Sequence, residues 1–112
     1  MEVTLTERDD TTIVKITGSI DGLNAGQLSA TIAAPIAEGR VRLVADFSSV
    51  NYTSSAGLRS LLGAVNGSRR GGGDLPIAGL QPQVERVLAL AGFTGIIQIF
   101  PDVEAAVTSY RT

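Results

Sequence analysis

Thr53, Ser54 and Ser55 place three hydroxyls in succession. The apolar run Val41 to Ala45 leads towards them, and Leu58, Leu61, Leu62 and Val65 follow at the spacing of one helical face. The trio therefore falls at a helix N-terminus, where the first N–H groups lack internal partners and carry partial positive charge. A hydroxyl there is either a plain cap or a place where a phosphoryl charge can be switched on. Spacing alone favours the cap, although one cap needs only one hydroxyl. Ala56 and Gly57 are small and leave the first turn thinly covered, so a partner surface could approach; Gly57 equally suits close helix packing. Asp21 and Asp46 are single carboxylates associated with strand ends. A turn or cap bond is the expected role for each, ahead of metal binding. Both are expected near Ser55, because strand ends of one sheet edge gather together. Arg70-Gly71-Gly72-Gly73 follows a helix and lacks the Gly-Lys-Ser/Thr ending of a phosphate loop, so it reads as a helix stop and flexible turn.

What is missing narrows the chemistry further. The 112 residues include no Cys and no His. Thiolate catalysis, Cys-type zinc sites, a Ser-His-Asp triad and imidazole acid–base work are all excluded. No tight constellation of carboxylates, Lys, Tyr and hydroxyls replaces them. We expect no catalytic residue, no metal, no cofactor and no enzyme. The net charge of −2, with scattered Lys and Arg, gives no electrostatic footprint for nucleic acid. No stretch approaches the roughly 20 apolar residues that cross a bilayer. Met1-Glu2-Val3-Thr4 lacks the basic and apolar segments of a signal peptide. The expected location is the cytoplasm.

Several elements must position the hydroxyls. Val3 to Thr6 and Thr12 to Thr17 read as an antiparallel hairpin turning at Arg8-Asp9-Asp10. Asn24 stands in cap position before Ala25, Leu28, Ile32 and Ile36, with Pro35 kinking or ending that helix and Gly39 closing it. Val41 to Ala45 suits a central strand buried on both faces. A helix from about Ser55 to Arg69 follows, then a short strand from Leu75 to Ala78. Gln81-Pro82 opens a third helix whose buried face is Val84, Val87, Leu88 and Ala91, stopped at Gly92. Ile96 to Phe100 is a further strand or a loop-like edge, and Phe93 and Phe100 are expected in the core. Pro101-Asp102 starts a last helix with Val103, Ala106, Val107 and Tyr110 on one side. The order ββαβαβαβα implies an α/β fold: a small mixed sheet, with an N-terminal antiparallel hairpin plus parallel strands joined by right-handed crossovers, and about four helices packed on it. One domain is expected to fill residues 1–112.

Three stretches, Gly18-Ser19-Ile20-Asp21, Asp46-Phe47-Ser48-Ser49-Val50 and Ser54-Ser55-Ala56-Gly57-Leu58, resemble the signature segments of STAS domains. Gly79-Leu80-Gln81-Pro82 and Ala91-Gly92-Phe93 resemble the family's third-helix region, and the likeness spans essentially the whole chain. It is nearest to bacterial anti-sigma factor antagonists. The resemblance implies a module that, when unphosphorylated, sequesters an anti-sigma factor of the GHKL serine-kinase type and so frees a sigma factor. The kinase then phosphorylates one Ser, and a metal-dependent Ser/Thr phosphatase resets the switch. By the same resemblance the acceptor is the Ser two places before Gly57, namely Ser55, with Ser54 as fallback. Asp21, Asp46, Ser54, Ser55, Ala56, Gly57 and Leu58 would meet the partner. The family's Asp just before the acceptor is Ser54 here. A constitutive STAS adaptor in a signalling or stress complex, or a domain sensing a nucleotide or small ligand, are the alternatives.

Overall fold

The computed structural model describes residues 1–111. Strands β1 (Glu2–Arg8) and β2 (Thr11–Ile20) pair antiparallel across Asp9 and Asp10, whose φ angles of 52° and 65° are those of a two-residue primed turn. Asp tolerates this left-handed backbone better than most side chains. Then follow α1 (Ala25–Ala37), β3 (Leu43–Thr53), α2 (Ser55–Arg70), β4 (Ile77–Ala78), α3 (Pro82–Leu90), a 3₁₀ turn (Phe93–Gly95), β5 (Ile99–Phe100) and α4 (Val103–Ser109).

The five strands lie in sequence order, β1-β2-β3-β4-β5, with every pair after the hairpin parallel. Each crossover therefore advances in the same direction. Right-handed connections that never reverse lay α1, α2 and α3 on one face of the sheet. Side-chain alternation then sorts the core. Val14, Ile16, Leu43, Ala45 and Phe47 point to those three helices and meet Leu28, Ile32, Leu61, Val65 and Leu88. Ile13, Val44 and Ala78 point the other way, onto Ala106 and Val107 of α4.

The expected mixed α/β architecture and element order are those observed, and several details differ. The central strand does not stop near Ala45 but runs eleven residues in all, from Leu43 to Thr53. The edge of the sheet is thin: only Ile99 and Phe100 of the Ile96–Phe100 run join the ladder. Phe93 and Phe100 are half-buried, packed against the margins of the two clusters. On α3, Val84 and Leu88 are buried while Val87 and Ala91 are exposed. One helix of nine residues turns only a narrow i, i+4 stripe to the sheet. Pro35 falls in the last turn of α1, and Gly39, at φ +83°, follows the end of that helix. The glycine loop after α2 is a tight, hydrogen-bonded turn. Gly71 and Gly73 both donate to Ser68 O, and a Cβ on Gly73 would fall 1.8 Å from Val41 O.

A candidate site at the mouth of helix α2

The parallel strands β2 and β3 end together, with Ile20 paired to Thr53. One residue on, Ser54 N donates to Ile20 O at 2.8 Å, which ties the start of α2 to the end of β2. The three hydroxyls then meet three environments. Thr53 is buried, and its Oγ1 donates to the Ser54 carbonyl at 3.3 Å. Ser54 is the N-cap, with extended backbone and Oγ accepting from Gly57 N at 3.1 Å. Ser55 is the first helical residue and is exposed, and no other described residue hydrogen-bonds its hydroxyl. A nucleophilic oxygen thus stands open beside helix N–H groups, of which the cap uses one. The arrangement can take an electrophilic phosphoryl group and bears no acid, base or metal cluster of its own among the described residues.

Asp21 reaches the same corner, immediately after Ile20. Its Oδ1 accepts from Leu23 N at 2.8 Å and from Asn24 N at 2.9 Å. Asn24 occupies the N-cap position of α1, yet its side chain does not cap. It turns back, with Oδ1 accepting from Asp21 N at 2.8 Å and Nδ2 donating to Ser19 O at 3.0 Å.

Asp46 does not join this corner, against the expectation that both carboxylates gather near Ser55. It pairs with Lys15 and with Ala78, and five residue steps of β2 separate Lys15 from Ile20. That is roughly 17 Å at about 3.3 Å per residue. What Asp46 does is local. Between the Lys15–Asp46 and Ile20–Thr53 rungs, β3 spends seven steps against five on β2, because the register shifts twice. At the first bulge Asp46 Oδ1 accepts from Ser48 N at 3.0 Å and from Ser48 Oγ at 2.7 Å. Gln81 Nε2 donates to Ser48 O at 3.0 Å. Beside the second, Ser19 Oγ donates to Asn51 Oδ1 at 2.9 Å. These bonds satisfy polar groups that a bulge disturbs.

Of the small residues, Gly57 is buried and Ala56 half-buried, and Leu58 is 6% exposed. A Cβ on Gly57 would lie 2.4 Å from Thr53 Oγ1 and 2.7 Å from Ile20 Cγ2. Gly57 and Leu58 therefore shape the corner from beneath, and Ser55 is its accessible residue. The sequence reading missed Leu23, which is 98% exposed in the turn held by Asp21. Its signal was available: an apolar residue between Gly22 and Asn24, outside both the strand run and the α1 stripe. Tyr52, also exposed, alternates with buried Thr53 and so faces away from the helices.

Comparison with known proteins decides the family. The STAS domain model matches residues 2–106. The chain belongs to the STAS domain family. Over 112 residues this STAS chain is 34% identical to the Bordetella bronchiseptica protein named "Putative anti-sigma factor antagonist BtrV", covering all of this chain and 97% of the relative. An anti-sigma factor antagonist from Mycobacterium paratuberculosis superposes with a TM-score of 0.90 at 25% identity, covering 99% of this chain and 94% of that one. SpoIIAA, a Bacillus cell fate determinant solved in its phosphorylated form, gives 0.76 at 19% identity, covering 97% and 99%. Among the described residues no helix of this STAS chain is long and apolar enough to cross a membrane.

Proposed function

We propose that this STAS chain is an anti-sigma factor antagonist, a binding module without turnover of its own, whose grip on an anti-sigma factor is switched by phosphorylation of Ser55. The partner is a GHKL-type serine kinase that both binds the module and phosphorylates it in the cytoplasm, and a Ser/Thr phosphatase reverses the mark. One observation carries the reading. Of three adjacent hydroxyls, one is buried, one is committed to the cap, and Ser55 alone is open to a kinase. Ser54 is thereby the poorer acceptor. The names of the relatives support the antagonist role, and SpoIIAA supplies a precedent for a phosphorylated form.

The magnitudes favour a switch of binding over a switch of folding. A phosphoryl group adds about −1.5 to −2 charges. At the N-terminus of α2 the dipole favours that charge by roughly 0.3–1 kcal/mol, so the fold survives. A partner pressed on the same turn would bury an unpaired dianion, which costs several kcal/mol, on the order of a hundredfold in affinity. Incubation with the kinase and ATP, followed by phosphopeptide mapping, should find phosphate on Ser55. Ser55→Asp should keep the melting temperature within a few degrees and bind the kinase at least tenfold more weakly. Phosphate on neither Ser54 nor Ser55, with tight binding retained, would favour the constitutive adaptor, a reading to which the absence of a carboxylate at position 54 lends weight.

A further inference from the structure

We infer that Leu23 is a preformed apolar anchor for the protein that engages Ser55, and that Asp21 acts as the positioning residue that holds it out. The inference rests on the reading of Ser55 as the partner-facing acceptor and adds the chemistry of the partner: an apolar pocket beside its phosphate-transfer site.

Leu28, Leu43, Leu58, Leu61, Leu75 and Leu88 are each 6% exposed or less, whereas Leu23 is 98% exposed; Leu90, at the end of α3, is also open at 84% but lies outside the turn tied to Ser54. A lone surface leucine needs no explanation by itself. The turn beneath it does. Asp21 Oδ1 accepts from two successive N–H groups, at 2.8 and 2.9 Å, and Asn24 Oδ1 accepts from Asp21 N at 2.8 Å. Asn24 Nδ2 closes the set on Ser19 O, and Ala25 N donates to Asp21 O at 3.1 Å. Five bonds fix four residues whose only large apolar side chain makes no use of the fold. A backbone already fixed at the point where a leucine projects has met the loop's share of the ordering cost of binding, leaving only that side chain's own rotamers to be fixed.

This turn and the Ser55 turn form one frame. Ser54 N donates to Ile20 O on one side, and Ser60 Oγ donates to Ala25 O at 3.0 Å on the other. A partner seated over Ser55 from the strand-end side therefore meets Leu23 at a fixed offset. Leu23 is 98% exposed, so the fold leaves the approach to it open. One oxygen of the Asp21 carboxylate, which the family resemblance would give to the partner, is already engaged by two backbone donors.

The test uses the full chain and the GHKL-type kinase of the same genome with bound nucleotide, titrated calorimetrically. Leu23→Ala should weaken binding about 10- to 100-fold, as expected for a leucine buried in a pocket. Its melting temperature should be unchanged, and saturating kinase should still phosphorylate Ser55. Binding within twofold of the parent would overturn the anchor. A concentration-dependent dimer abolished by Leu23→Ala would assign the side chain to self-association and overturn it equally. Asp21→Asn keeps the accepting oxygen and should bind within about threefold of the parent, whereas Asp21→Ala should lose as much as Leu23→Ala. Equal losses for Asn and Ala would mean that the charge itself is read, and the positioning role would fall. If Ser55 takes no phosphate while Leu23→Ala still weakens binding, the anchor stands and the phosphorylation reading alone fails.

Discussion

Three neighbouring hydroxyls, on Thr53, Ser54 and Ser55, meet three different surroundings, and those surroundings set their roles. Ser54 Oγ stabilises α2 by accepting from Gly57 N, so its removal is a stability event. Ser54→Ala should cost about 1 kcal/mol, the usual worth of an N-cap. For a chain of this size that lowers the melting temperature by roughly 4–6 °C, read by thermal denaturation. Ser54→Asp should restore it, since Asp caps about as well as Ser. The same substitution returns the carboxylate that the family pattern carries before the acceptor. Phosphorylation at Ser55 should persist in both variants. Loss of phosphorylation in Ser54→Ala with the fold intact would make Ser54 the acceptor. Residue type announced the trio, but a list of types does not say which of the three hydroxyls stays open. Burial does that, and burial depends on Ile20, thirty-three positions upstream of Thr53 in sequence and its partner in the sheet.

At the scale of the element, Gly57 is the point where helix α2 meets the paired ends of β2 and β3. Alanine is the better helix former by about 1 kcal/mol, so propensity alone predicts that Gly57→Ala stabilises. Space predicts the reverse. The new methyl would stand 2.4 Å from Thr53 Oγ1 and 2.7 Å from Ile20 Cγ2, on two β-branched side chains that are themselves buried. Overpacking of this kind typically costs 1–3 kcal/mol, and the net outcome should be a loss of roughly 1–2 kcal/mol in urea or guanidinium unfolding. A stabilised Gly57→Ala would show that the corner yields. The elements themselves were largely readable, because period-2 and period-3.6 patterns, Pro82 and Gly39 are local signals. The length of β3 was not. Asp46 to Thr53 carries Asp, Ser, Asn and Thr, a composition that reads as a loop. It is extended all the same: at the first bulge Asp46 and Gln81 bond the backbone of Ser48, and beside the second Ser19 and Asn51 bond each other. For the same reason Asp46 appeared to belong with Asp21 and Ser55. The α3 stripe was overread at Val87 and Ala91 because periodicity names a face without saying how wide a strip of it the sheet covers.

At the scale of the molecule, three helices share one face of the sheet and the single short α4 closes the other. That second face depends on a few contacts, and Tyr110 is the outermost of them. The hydroxyl lies 2.7 Å from Leu43 O and 2.8 Å from Asp74 O, so the end of α4 is bound to the start of β3 and to the segment before β4. Burial, and after it the Asp74 carboxylate, push the Tyr110 phenol above its ordinary value. The folded chain therefore keeps a proton that the unfolded chain releases from about pH 10 upward. Stability rises with pH only where the unfolded state binds more protons, so here it must fall as pH passes about 10. The contribution is complete below that pH and is lost progressively as the folded-state value is approached. Tyr110→Phe removes the group. At pH 7 the variant should be less stable by about 1 kcal/mol, the net worth of a hydrogen bond. Between about pH 10 and 11.5 its melting temperature should fall less steeply than that of the parent, and the gap between them should narrow. Thermal denaturation of both chains across that range is the check, and a gap that stays constant would mean that the fold does not raise the phenol.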